Sequence, residues 1–168
     1  MECFRIDWKG LYSWDTAQNR PETREDGIYA VYQMQGSQIR KLQYIGKSKE
    51  LGSRLSTHRQ SMSRFMDSKG VNKLAVCFGM IYSYETSRPS THITPTQLRN
   101  IESFLINIYK PEGNSEATKK GYKREPLILI NTGKRGWFDK VIAHNPEIIT
   151  LLKENLAPRR VTRSSSFF

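Results

Sequence analysis

The sequence predicts an α+β fold, a small, largely antiparallel β-sheet of three or more strands with helices packed around it. Three observations carry this reading. Residues 72–85 place Leu74, Val76, Phe78, Met80, Tyr82 and Tyr84 at every second position, the period of a strand with one face turned inward. Two runs rich in β-branched and aromatic residues, 28–32 and 39–45, flank Gln35-Gly36-Ser37-Gln38. Gly36 can take a positive φ there without a Cβ clash, so the two runs read as a hairpin. Finally, Thr94-Pro95-Thr96-Gln97 offers a capping threonine, a proline at the first helical position and a glutamine able to return the hydrogen bond. A helix opens there, runs to Tyr109 and is stopped by Pro111.

The remaining elements follow in chain order. Residues 1–26 open with a dense apolar and aromatic set, Phe4, Ile6, Trp8, Leu11, Tyr12 and Trp14. Such density is expected of an extension packed on the core and carries no chemistry by itself. The polar stretch 18–26, with Pro21, reads as a loop leading to the hairpin. After Ser48, a capping residue, Leu51, Leu55 and Met62 recur at near-helical spacing. Arg54 and His58 then lie four residues apart on one face of that helix, while Gly52 weakens it by about 1 kcal/mol relative to alanine. Residues 87–93, with Pro89, form a loop. The apolar stripe of the second helix is Leu98, Ile101, Leu105 and Ile108, flanked by Phe104 and Tyr109. Glu102 lies on this stripe, where a carboxylate is costly unless it is paired, protonated or bound to a metal. The ordinary solution is a rim glutamate paired with a lysine or arginine. Residues 127–131 read as a short strand, 132–136 as a turn, and Asn145-Pro146-Glu147 starts a last helix that ends near Pro158. The tail carries Arg159, Arg160, Arg163 and a serine run, which reads as disorder.

Composition bounds the function. Lys and Arg outnumber Asp and Glu by 27 to 16, a formal charge of +11, and an apolar fraction of 37% over 168 residues suffices for the core of a single domain. The basic excess points to a polyanion. A membrane surface is the weaker reading, because no strongly amphipathic basic helix is present. Basic residues gather late: Lys119, Lys120, Lys123 and Arg124 interleave with Gly121 and Tyr122, and Lys134 and Arg135 sit between Gly133 and Gly136. The latter segment lacks the full phosphate-loop pattern. Cys3 and Cys77 are far apart in sequence, and no run resembles a signal peptide or a membrane span, so an intracellular, cytoplasmic setting is expected. His92 and His144 have no metal-ligand spacing to each other or to the cysteines, which argues against a structural zinc site.

One ordered set of residues goes further. Gly27-Ile28-Tyr29 and Tyr44-Ile45-Gly46 stand on the paired strands, Arg54 and His58 on the following helix, Glu102 on the second helix and Asn114 after it. Over residues 27 to 114 the chain resembles the GIY-YIG nuclease superfamily, whose pattern is these two tripeptides, an arginine and a histidine or tyrosine, then a glutamate and an asparagine. The resemblance implies a GIY-YIG-like architecture with a nuclease core at 27–114, a basic substrate-binding addition at 115–158 and a tail at 159–168. It also implies hydrolysis of a phosphodiester by one metal ion and an activated water. Tyr29 would be the general base with His58 as its proton acceptor, a role Tyr44 can hold instead, or Tyr44 orients the water. Arg54 would grip the scissile phosphate, Lys47 assist as a point charge, Glu102 bind Mg2+ (or Mn2+), and Asn114 position the site or the phosphate.

The substrate expected is DNA, contacted through Lys119, Lys120, Lys123, Arg124, Lys134 and Arg135, and the expected enzyme is a restriction-type or mobile-element endonuclease. Two alternatives stand beside it: an RNA-directed nuclease or toxin, and a non-catalytic nucleic-acid-binding module. Monomer and homodimer are both compatible with the sequence.

Overall fold

The computed structural model describes residues 1–50, 54–55, 64, 73–83, 93–119, 122 and 126–156. Among the described residues six strands are present: β1 (Glu2–Ser13), β2 (Gly27–Gln35), β3 (Gln38–Ser48), β4 (Leu74–Ser83), β5 (Leu127–Gly133) and β6 (Val141–Ala143). The helices are α1 (Trp14–Ala17), α2 (Pro95–Tyr109), α3 (Ser115–Lys119) and α4 (Pro146–Leu156), with single 3-10 turns at Pro21–Arg24 and Glu112–Asn114. Arg54, Leu55 and Arg64 are also helical. The strands form one sheet in the order β3-β2-β4-β1-β5-β6. Every junction is antiparallel except the parallel β1–β5 pair. The α+β class and the mostly antiparallel sheet read from the sequence are therefore those of the structure.

Local chemistry explains the elements that were anticipated. Gly36 closes the β2–β3 hairpin at φ 62°, a conformation glycine adopts without penalty. At the start of α2, the Thr94 hydroxyl accepts from the Gln97 amide at 3.2 Å, and the Thr94 amide donates to the Gln97 side chain at 3.0 Å. Both otherwise orphaned donors are thus satisfied. The helix ends at Lys110 with φ 46°, immediately before Pro111. Its buried side includes Leu98, Ile101, Phe104 and Leu105, whereas Ile108 is 42% exposed. The apolar stripe is thus rotated toward Phe104 from the one expected.

The main correction concerns residues 1–26. They are not an extension packed on a finished core: β1 lies between β4 and β5 in the middle of the sheet. Phe4, Ile6 and Trp8 are buried and alternate with Arg5, Asp7 and Lys9, the period-two signature of a strand. Trp8 stacks on Phe138 with ring centroids 4.4 Å apart, and its indole donates to Asn131 Oδ1 at 2.9 Å. Likewise β5 and β6 bring part of 115–158 into the same sheet. The strand read at 127–131 extends to Gly133, and β6 was not anticipated.

The sheet has two distinct faces. One, the helix face, packs Ile6, Trp8, Ile28, Ala30 and Ile45 against the buried side of α2. The other, the tyrosine face, carries Tyr29, Val31, Val76 and Phe78 beneath Ala17, Trp14 and Leu55. At its far end Ile128 and Ile130 meet Ile148 and Ile149 of α4. Among the described residues no helix is long and apolar enough to cross a membrane. Cys3 and Cys77 are both free thiols.

Candidate functional site

The hairpin register sets Tyr29 directly opposite Gly46, and this pairing gives the glycine its physical reason. A Cβ on Gly46 would lie 2.6 Å from the Tyr29 ring and hydroxyl, so only glycine lets the tyrosine cross over β3 at this point. Tyr29 has no solvent exposure. Its ring lies 5.8 Å from that of Tyr44, which is half-buried. Burial pushes the Tyr29 phenol well above its ordinary value; Tyr44 raises it further, and the Arg54 guanidinium pulls it back. The Tyr44 phenol is also raised, first by burial and then by the Glu102 carboxylate, again opposed by Arg54. Tyr29 thus feels Tyr44 and Arg54, and Tyr44 feels Glu102 as well, although the four come from β2, β3, a helical segment and α2.

Glu102 is held by a single residue of β3 at two points. Its Oε1 accepts from the Lys47 backbone amide at 3.1 Å, and its Oε2 lies 2.9 Å from the Lys47 ammonium. The two side chains are 17% and 31% exposed, which leaves the pair reachable from solvent. The carboxylate on the α2 stripe is thus compensated as a rim glutamate paired with a lysine. Among the described residues no group of three or more histidines, cysteines and carboxylates converges.

Asn114 is buried and closes on the same strand. Its side-chain carbonyl accepts from the Ile45 amide at 2.8 Å, and its amide group donates to the Ile45 carbonyl at 2.8 Å. β3 is an outer strand of the sheet, and an outer strand leaves alternate backbone groups unpaired. Asn114 takes both such groups of Ile45, and Glu102 takes the amide of Lys47. The two downstream residues of the motif thereby fix the Tyr44-Ile45-Gly46-Lys47 segment through its backbone. The neighbouring Gly113 permits this approach, because a Cβ there would sit 2.7 Å from the Gln43 carbonyl oxygen. A further tether is the Lys41–Glu112 ion pair at 2.7 Å. Sequence reading did not single out Gly113 or Glu112, and their proximity to Asn114 was the only available cue.

The basic residues distribute unevenly. Lys119 is exposed at the end of α3, five residues beyond Asn114. Lys134 lies with Lys9, Tyr12 and Gly133 around a recess of about 420 Å³. Arg135 donates to the Phe138 carbonyl at 2.9 Å. Phe138 itself packs with Trp8 in the core of the helix face, so Arg135 is directed away from the tyrosine pair. His58, Lys120, Lys123 and Arg124 lie outside the described residues.

No family model, curated protein or solved structure matches the chain.

Proposed function

We propose that this protein is a metal-dependent endonuclease that hydrolyses phosphodiester bonds of DNA. The observation that supports it best is the gathering of two phenols, a guanidinium and a lysine-paired carboxylate at one end of the hairpin. It matches the residue set that the resemblance to GIY-YIG nucleases assigns to catalysis. The formal charge of +11 suits a polyanionic substrate.

Hydrolysis needs a water that loses its proton, a phosphate whose growing charge is neutralised, and a leaving oxygen that can depart. Arg54 grips two phosphate oxygens through its planar fork of donors. The attacking water meets Tyr44 first, because Tyr44 is half-buried whereas Tyr29 is fully enclosed. With both phenols raised above their ordinary values, neither stands as a phenolate at neutral pH. A phenol can take the water proton only while passing its own onward, and His58 is the acceptor the motif supplies. The water oxygen bonds to phosphorus, the ester P–O bond breaks, and the departing oxygen is protonated by solvent.

Glu102 suits Mg2+ or Mn2+: a hard cation that keeps several waters needs only one or two carboxylates beside the substrate phosphate. When bound, such an ion supplies charge neutralisation at the phosphate and the leaving oxygen. Glu102 would hold the ion in competition with the Lys47 ammonium, which would then be free to turn toward the phosphate. Asn114 has both side-chain groups committed to Ile45 and acts as a positioning residue for β3.

The test is incubation of plasmid DNA, structured DNA and RNA with the protein, with and without Mg2+. Magnesium-dependent cleavage of DNA is expected. No cleavage of any substrate would overturn the enzymatic reading, and cleavage of RNA alone would replace the substrate. Glu102→Ala should abolish turnover while nucleic-acid binding survives.

A further inference from the structure

Trp137 and Phe138 are adjacent aromatic residues with opposite placements. Phe138 is 1% exposed, and three rings surround it: Trp8 stacks on it at 4.4 Å, while Tyr109 at 5.0 Å and Tyr32 at 6.3 Å meet it edge-on. Trp137 is 48% exposed, and among the described residues its indole has no ring contact and no hydrogen bond. An indole left half in water forgoes the burial that a side chain of its size would gain in a core.

The turn that carries Trp137 is fixed from its inner side. The Phe138 amide donates to the Arg135 carbonyl at 3.0 Å, which closes a four-residue turn with Gly136 and Trp137 at its corners. Gly136 has φ 58°, and a Cβ on it would lie 2.7 Å from the Tyr32 hydroxyl, so this corner is pressed onto the core and takes only glycine. Arg135 donates to the Phe138 carbonyl at 2.9 Å. Beyond the turn, the Asn131 side-chain amide donates to the Asp139 carbonyl at 2.7 Å, and the Asp139 amide donates to the Tyr109 hydroxyl at 2.8 Å. A ligand therefore meets an indole whose backbone is already in place, which lowers the ordering cost of binding.

The charge around the turn selects the ligand. Arg135 and Lys140 lie within three residues of Trp137 in sequence, and Lys110 follows Tyr109. Lys110 and Lys140 are exposed, and none of these three cations forms an ion pair among the described residues. Asp139 opposes them, with the Tyr109 hydroxyl donating to its carboxylate at 3.1 Å. A flat ring among unpaired cations suits a ligand that has both a π-face and negative charge, as a nucleotide does. Paired bases are covered by their neighbours in the stack, whereas an unpaired base offers its face. We infer that Trp137 is a stacking platform for an unpaired base of a single-stranded nucleic acid, with Arg135 and Lys140 at the flanking phosphates. Phe138 and Tyr32 place the turn on the helix face, whereas Tyr29 and Tyr44 belong to the other. This contact is thus separate from the proposed site of hydrolysis and does not depend on cleavage.

The test compares binding of the full chain, in EDTA, to a fluorescent twelve-nucleotide thymidine strand and to an abasic strand with the same phosphates. The wild-type chain should bind the thymidine strand about tenfold more tightly than the abasic one. Trp137→Leu should erase that difference while leaving abasic binding and its salt slope, about 0.7 per neutralised phosphate, unchanged. Trp137→Phe keeps a ring and should retain part of the preference, which separates lost stacking from damage to the turn. Equal affinity for the two strands in the wild type, a preference that survives Trp137→Leu, or binding of neither strand would overturn the assignment. So would a polyglutamate peptide that displaces the thymidine strand and loses its own binding in Trp137→Leu, because the ring would then belong to an acidic protein partner.

Discussion

Gly46 and Tyr29 are a matched pair: the tyrosine crosses where any other residue would place a Cβ within 2.6 Å of its ring. Gly46→Ala should therefore displace Tyr29, costing about 1–3 kcal/mol in urea unfolding as an overpacked core does and removing cleavage with it. Full activity and full stability in this variant would mean that the ring has another place to go. Lys47 is the second informative residue. Its ammonium sits against a Glu102 carboxylate oxygen, so a cation proposed at Glu102 would have to compete with it. Lys47→Gln should bind Mn2+ more tightly, by several-fold in titration calorimetry or electron paramagnetic resonance, while losing cleavage rate at saturating metal. An unchanged Mn2+ affinity would show that the pair does not guard the site. The residue types of this site were legible from sequence, since both tripeptides, Arg54, Glu102 and Asn114 stand in a recognisable order. The Lys47–Glu102 pair was not: an ion pair across 55 positions leaves no periodic trace, and only the general expectation of a paired rim glutamate anticipated it.

Among the described elements, β3 is held through its backbone by side chains from outside the sheet. Asn114 supplies two hydrogen bonds to Ile45 in a buried setting. Asn114→Leu leaves a backbone donor and acceptor without partners, at about 1–3 kcal/mol each. The expected result is a loss of a few kcal/mol in stability and faster hydrogen exchange at Ile45, with binding of nucleic acid largely retained. Exchange at Ile45 unchanged from wild type would refute the clamp. The hairpin, β4 and α2 could be read from sequence because their signals are local: alternation, a turn glycine and a capping box. β1 carried the same alternation in Phe4, Ile6 and Trp8, but Leu11, Tyr12 and Trp14 break the period after the bulge near Gly10. Apolar density then outweighed the period. The parallel pairing of β1 with β5 joins residues about 125 positions apart, and no local pattern encodes it.

For the molecule as a whole, the buried phenols and thiol set an alkaline limit. Burial raises Tyr29 and Tyr32 above the ordinary 10.0, and Cys77 from 9.0 to about 12. The folded state therefore holds these protons after the unfolded chain has released them. Stability is fully present below about pH 8 and falls as pH rises past the unfolded values, first that of Cys77 and then those of the tyrosines, each group contributing up to about 1.4 kcal/mol per pH unit. As far as these groups act, thermal unfolding should be flat from pH 7 to about 8 and decline above, and Tyr32→Phe should decline less steeply beyond about pH 9. An identical alkaline slope in that variant would remove Tyr32 from the account.

The central place of β1 has a consequence for how the chain is made. Of the six described strands β1 is synthesised before the others, yet its two neighbours are residues 74–83 and 127–133. At 5–20 residues per second, its parallel partner emerges roughly 6–24 s later. Throughout that interval Phe4, Ile6 and Trp8 wait with an open edge on at least one side. The β1 segment is therefore exposed to aggregation and to chaperone capture until β5 is made, and slower synthesis between residues 84 and 127 would lengthen that exposure.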